Sequence, residues 1–286
     1  MRMKLKQTIL IIKNSFYHWQ SHRATRMGAA LSYYAIFSII PFLMLIVVVI
    51  GPSLGSGYVQ TEIIGQVREI ISVKSAAFIQ AIFLGLSEIQ FNFFTILIAI
   101  GSFIVGTLGV FYELKNSLDD LWDTVQTKRE ARSWKYFLSS RLLSLSMIPI
   151  LCFLLIMSLV FSALISFVSG YSQIFASMTY LLQFGTFIFS SFIMCFLFTF
   201  IYRFLPKRKL PWKELVRGAI ITTILFMLGK FIIGVYIKNL AGASVFGTAE
   251  SFIVLLLWMY YSVQIFLFGA SMTYVYSKQY GHLKNS

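Results

Sequence analysis

Apolar runs of about twenty residues recur along this chain, and they constrain its fold more tightly than any other feature. Residues 29–50 read AALSYYAIFSIIPFLMLIVVVI and residues 93–112 read FFTILIAIGSFIVGTLGVFY. A helix needs about 20 such residues to cross a hydrocarbon core of about 30 Å. Further runs at 142–168, 174–202, 216–237 and 252–275 bring the expected number of spans to six. The chain is 58% hydrophobic and 12% charged, whereas soluble domains run near 45–50% and about 25%. A water-facing globule of 286 residues has no interior large enough for that excess. The fold class expected is therefore all-α: a polytopic membrane protein with six transmembrane helices and extra interfacial amphipathic helices. Residues 1–286 then form a single six-span membrane domain.

The formal charge of +14 admits two explanations, nucleic-acid binding or membrane topology. They differ in where the charges fall. Twenty of the 24 lysines and arginines lie in the N-terminal segment, the loops around 113–141 and 203–217, and the tail; Arg68, Lys74 and Lys238 lie on the opposite side. Basic residues gather on the cytoplasmic side of membrane proteins. Both termini are thus expected in the cytoplasm (N-in/C-in), with residues 1–27 a cytoplasmic basic segment and 51–92 an extracytoplasmic loop. No nucleic-acid partner is expected. Cys152 and Cys195 both sit in apolar runs, which argues against a disulfide framework or thiolate metal site. No cleavable signal peptide is read, since the first apolar run follows 27 mostly polar residues and is too long for one.

Between the spans lie amphipathic stretches. Val59, Ile63, Val67, Ile70 and Ile71 recur at helical spacing, as do Phe78, Ile79, Ile82, Phe83 and Leu86. They are expected as short helices in the interface or as a re-entrant pair. Leu5, Ile9, Ile12, Phe16 and Trp19 form a similar stripe beside lysines, which suits a helix lying on anionic inner-leaflet lipids. The second span runs on with Phe111, Leu114, Leu118, Leu121, Trp122 and Val125 on one face and Asp119, Asp120 and Asp123 on the other. Without a glycine turn or alternating acids, the three carboxylates read as a solvated face beside Arg129 and Arg132 rather than a cation site.

The stretches GAALSYYAIFSIIPFLML (28–45), FLPKRKLPWKELVRGAIITTILFMLGKFIIGVYI (204–237) and FGTAESFIVLLLWMYYSVQIFLFGASMTYVYSKQYG (246–281) resemble the YihY/BrkB family. That resemblance covers nearly the whole chain. It implies a six-span inner-membrane protein of a bacterium with a role in export or envelope maintenance, formerly labelled ribonuclease BN, and it brings no catalytic residues. Two positions depart from the family pattern, which often carries Glu: Met227, three residues before Lys230, and Ser271 near the end of the sixth span.

The residues themselves argue against an enzyme. RNA hydrolysis needs a metal clamp or paired acid–base groups. His18 and His22 are four apart and share a helix face, but no His-x-Glu or acid–Gly context accompanies them, and His282 is remote. No metal and no cofactor is expected, and there is no Gly-rich phosphate loop or nucleophile elbow. What remains is a set of polar residues inside spans, the usual mark of a transport path. Lys230 lies within the fifth span, and Gln264 lies mid-way along the sixth with Tyr260 and Tyr261 a turn away. The first span offers Tyr33, Tyr34 and Ser38, followed by Pro41, which frees a carbonyl and bends a helix. Glu250 begins the sixth span. These nine residues define a candidate polar cavity among spans one, five and six, with packing contacts as the alternative for each. A transporter or exporter of a small solute or lipid-like molecule is the leading expectation, and a non-transporting scaffold for the envelope is the alternative.

Overall fold

The computed structural model describes residues 5–54, 56–70, 72–87, 92–124, 179–240 and 249–285. These form eight α-helices: α1 (Leu5–Ser21), α2 (Ala24–Leu54), α3 (Ser56–Ile70), α4 (Val73–Ser87), α5 (Phe93–Leu121), α6 (Thr179–Phe204), α7 (Trp212–Leu240) and α8 (Ala249–Tyr280). A short 3-10 turn follows at His282–Asn285. No strand occurs among the described residues. Five helices contain stretches long and apolar enough to cross a membrane, at Ala24–Val47, Phe93–Leu121, Phe187–Phe204, Trp212–Ile233 and Glu250–Tyr280, and α4 is a shorter apolar helix. They match five of the six expected spans. The remaining one, 142–168, lies outside the described residues together with Cys152, Val125, Arg129 and Arg132.

The helix ends follow local chemistry. At the start of α5, Asn92 Oδ1 accepts the Thr95 N–H while Thr95 Oγ1 accepts the Asn92 N–H, each at 2.9 Å, so two otherwise orphaned donors are satisfied reciprocally. Ser72 Oγ accepts the Ser75 N–H at 3.1 Å ahead of α4. Past the end of α6, the Lys209 ammonium donates to the carbonyls of Arg203, Phe204 and Pro206 at 2.9–3.2 Å, placing a cation on the negative pole of the helix. Within the apolar stretches, the hydroxyls of Ser32, Thr199, Thr222, Thr223 and Thr273 donate to the carbonyl four residues earlier at 2.7–2.8 Å. These back-bonds satisfy hydroxyls where no water is at hand. The proline expected to bend the first span does not interrupt it: α2 remains helical through Pro41, which has no N–H to give the ladder.

The chain divides into two compact units. One comprises residues 23–117 and 225–267. In it, Ile36 and Leu43 of α2, Ile79, Phe83 and Leu86 of α4, and Leu255 of α8 form one apolar cluster, against which Ile63, Ile64 and Val67 of α3 pack. The two amphipathic helices expected between the first spans are thus folded onto α2 and α8 by their periodic apolar faces.

The other unit comprises residues 1–22, 118–224 and 268–286. Trp122 and Tyr202 are fully buried in it, their ring centroids 6.3 Å apart. Trp122 Nε1–H donates to the Ala270 carbonyl at 3.1 Å, and the Tyr202 hydroxyl pairs with Thr222 Oγ1 at 3.2 Å. Helices α6, α7 and α8 come this close because Gly269 and Gly218 carry no side chain. A Cβ on Gly269 would overlap Thr222 Oγ1 and fall 2.8 Å from the Tyr202 hydroxyl, and one on Gly218 would overlap Thr273 Oγ1. Gly269→Ala is therefore expected to lower stability by about 1–3 kcal/mol through overpacking. Gly101→Ala, at a position with open space around it, should leave stability unchanged or slightly raised. Thermal unfolding of the two variants in one detergent checks the contrast.

Candidate functional site

The nine residues of the expected cavity fall in the unit made of residues 23–117 and 225–267, and several have specific partners. Glu250, in the first turn of α8, is ion-paired with Lys74 in the first turn of α4 and is buried. Gln264 Nε2 donates to the carbonyls of Ala24 and Thr25 at 3.5 and 3.3 Å, its amide lying across Gly28 at the start of α2. Tyr261 packs over Gly229 of α7 and joins the cluster of Phe226, Ile233, Val254 and Trp258, with Tyr260 half-buried beside it. Tyr34 lies against Gly109 and Ser38 against Gly106 of α5. Tyr33 and Tyr34 remain exposed, and Pro41 is half-buried. Lys230 is exposed on α7, where Leu228, Phe231 and Ile232 are exposed as well. The structure thus gives Glu250 and Gln264 partners on α4 and α2, while Lys230 is on an outward apolar face.

A tighter constellation sits in the other unit, on residues that spacing alone did not join. Helix α1 exposes Ile9, Ile12 and Phe16 and turns Ile11, Ser15 and His18 inward. It is fastened to α8 by Ser271, whose hydroxyl donates to the Ser15 carbonyl at 2.9 Å. With that proton committed, Ser271 Oγ is the acceptor for His18 Nδ1–H at 3.1 Å. His22 Nδ1–H donates to the His18 carbonyl at 2.9 Å. Each ring is therefore held with Nδ1 protonated and Nε2 turned to the same place.

Asp123 arrives there from the end of α5. The helix closes with the Thr124 N–H on the Asp119 carbonyl at 2.9 Å and the Asp123 N–H on the Asp120 carbonyl at 3.1 Å. This is the Schellman arrangement, and Asp123 occupies its left-handed position at φ 45°. Glycine usually takes that position; aspartate tolerates it better than most side chains do. Asp123 Oδ1 lies 3.0 Å from His22 Nε2, and Oδ2 lies 4.0 Å from His18 Nε2. The Tyr274 hydroxyl donates to Oδ2 at 2.8 Å, Arg208 donates to that hydroxyl at 3.3 Å, and the exposed Lys278 ammonium is 3.9 Å from Oδ2.

Of the three carboxylates expected as a solvated face, Asp120 and Asp123 are exposed and Asp119 is the exception. Asp119 is fully buried, with Oδ1 accepting the Lys207 N–H at 2.7 Å, and Asp123 is engaged by His22 and Tyr274. Lys207, from the chain that follows α6, reaches Asp119, and Tyr274 of α8 reaches Asp123, partners that helical periodicity along α5 alone does not reveal. One atom from each of His18, His22 and Asp123 lies within 4.8 Å of the others, a grouping able to hold a metal ion.

Burial, followed by the neighbouring His22 charge, lowers the His18 pKa from 6.5 to about 4, although Asp123 pulls it up. Burial pushes Asp123 upward, but the hydrogen bonds from Tyr274 and His22 and the two histidine charges outweigh it and hold its carboxyl below the usual value.

A family model described as virulence factor BrkB matches residues 15–286. A "UPF0761 membrane protein" of Pseudomonas aeruginosa (strain LESB58) is 32% identical over 74 residues, 26% of this chain and 18% of that protein. Another of Chromobacterium violaceum is 33% identical over 90 residues, 31% of this chain and 21% of that protein. The matched stretch thus spans about a fifth of the length of these curated relatives. No solved structure matches.

A group whose pKa is depressed by folding resists protonation in the folded state. The His18 contribution is therefore intact above about pH 6.5 and lost as the pH falls toward about 4. In buffer containing EDTA, the unfolding midpoint should drop over that window, and His18→Asn, which keeps a donor toward Ser271, should flatten the drop. A pH series of thermal melts checks it.

Proposed function

This chain belongs to the virulence factor BrkB family of membrane proteins, and from that premise we propose that it is a transporter or exporter for a small anionic solute or lipid-like molecule in the bacterial cytoplasmic membrane, not an enzyme. The observation that carries the reading is Lys230. It stands about 20 Å along α7 from Arg217 and about 12 Å before Lys238, at about 1.5 Å of rise per residue. Its neighbours Leu228, Phe231 and Ile232 are exposed and apolar, and no carboxylate pairs with it among the described residues. A lysine near mid-span costs roughly 2.5–3.5 kcal/mol. An anion arriving from the bilayer beside it offsets that cost, while the apolar face accepts hydrocarbon. Access is sideways from the lipid rather than through a sealed cavity, since Glu250 and Gln264 are held by Lys74 and the start of α2.

A non-transporting envelope scaffold is the second reading. The stripe of Ile9, Ile12 and Phe16, exposed on α1, favours it by offering an anchor for anionic lipid surfaces.

The test is movement of fluorescent phosphatidylglycerol and phosphatidylcholine between leaflets of proteoliposomes. The anionic probe is expected to move faster with the protein present. Lys230→Ala should cut that rate by about tenfold, equivalent to about 1.4 kcal/mol, and Lys230→Arg should retain it. Identical rates with and without protein, for these lipids and for a panel of small anions, would sink the transport reading.

A further inference from the structure

We infer that His18, His22 and Asp123 form a binding site for a divalent transition metal of the zinc type, which fastens α1 to the end of α5. Hydrogen bonds fix the free atoms of the two rings. His18 gives its Nδ1 proton to Ser271 Oγ, because the serine proton is spent on the Ser15 carbonyl. His22 gives its Nδ1 proton to the His18 carbonyl. With both rings neutral, two Nε2 lone pairs therefore converge on a carboxylate, whereas a proton on His22 Nε2 makes that ring the donor in a 3.0 Å hydrogen bond to Asp123 Oδ1. His18 Nε2 is buried and has no hydrogen-bond partner, and His22 Nε2 stands 3.0 Å from Asp123 Oδ1. Acceptors facing an acceptor call for a cation between them.

Each candidate ligand is also supported from behind. Metal-bound imidazoles give their other N–H to a carbonyl, carboxylate or similar acceptor, and ligating carboxylates are themselves hydrogen-bonded. Here Ser271 backs His18, the His18 carbonyl backs His22, and the Tyr274 hydroxyl, with Arg208 behind it, backs Asp123. Histidines four apart on one helix face are a recurrent metal pair. His22 Nε2 lies 3.0 Å from Oδ1 and His18 Nε2 lies 4.0 Å from Oδ2, and with one atom from each residue all three lie within 4.8 Å of one another. The ligands therefore draw in to reach the roughly 3.3 Å expected of a tetrahedral zinc site with bonds near 2.0–2.1 Å. Two imidazoles and one carboxylate select a borderline ion over calcium or magnesium and leave a fourth position for water. Lys278, 3.9 Å from Oδ2 and exposed, is the one nearby cation on Asp123 among the described residues, and it is long enough to swing away.

The competing occupant is a proton on His22 Nε2, bonded to Asp123. Isothermal titration of the untagged, EDTA-treated full chain in detergent with Zn2+ decides between them, with Co2+ read by visible absorption as a second probe. One ion per chain is expected. Asp123→Asn and His22→Gln should each weaken binding by more than about 100-fold, and Ser271→Ala by about 10–100-fold through loss of ring orientation. Lys278→Ala should tighten binding several-fold, a gain that misfolding cannot imitate. Absence of saturable binding to the wild-type chain overturns the site in favour of the proton. Binding that Asp123→Asn, His22→Gln and Lys278→Ala all leave unchanged overturns it as well, by assigning the ion to an adventitious surface position.

Discussion

Inside hydrocarbon, a backbone N–H or C=O without a partner costs several kcal/mol, and every arrangement described above answers to that penalty. It makes the apolar stretches helical, carries α2 through Pro41 and folds serine and threonine hydroxyls back onto their own helices. It also concentrates recognition at helix ends, where the ladder runs out and orphan groups need partners. Lys209 on the end of α6, Asn92 at the start of α5 and Asp123 in the closing turn of α5 are three answers to one demand. Only the last also turns a carboxylate toward groups on another helix.

With the backbone satisfied, apolar attraction between helices gives little, since lipid tails are as apolar as leucine. Close approach must then come from small residues and a few polar contacts. In one unit Gly269 and Gly218 let Thr222, Tyr202 and Thr273 reach across. In the other, Gly28 admits Gln264 and Gly229 admits the Tyr261 ring. The glycines are thus contact points as much as hinges, and the hydroxyls beside them stitch the contact.

How far the sequence was readable follows from which physics each feature uses. The spans rest on local composition and were visible in five of the places where helices occur. The amphipathic pair α3 and α4 was visible for the same reason, since period and burial coincide at Ile79, Phe83 and Leu86. Glu250 and Gln264 stand out in the sequence as polar residues in apolar surroundings, but their partners Lys74, Ala24 and Thr25 lie 176 to 240 residues away. No local pattern carries that distance. The same holds for His18, His22 and Asp123. The histidine pair at four-residue spacing is visible in the sequence, and so are the three aspartates, yet nothing in the string brings them together. A left-handed aspartate ending a helix where glycine is usual is the one local hint, and it becomes legible only once the helix end is known.

The seating of α1 has a consequence for how the chain is made. Its partners Ser271 and Tyr274 are on the last long helix, 253 residues beyond His18 in the case of Ser271. At about 5–20 residues per second, roughly 10–50 s separate the emergence of the two from the ribosome. During that interval Ser15 and His18 of α1 lack the partner that Ser271 provides. Until α8 emerges, the inward face of the first helix is without the partners that helix supplies.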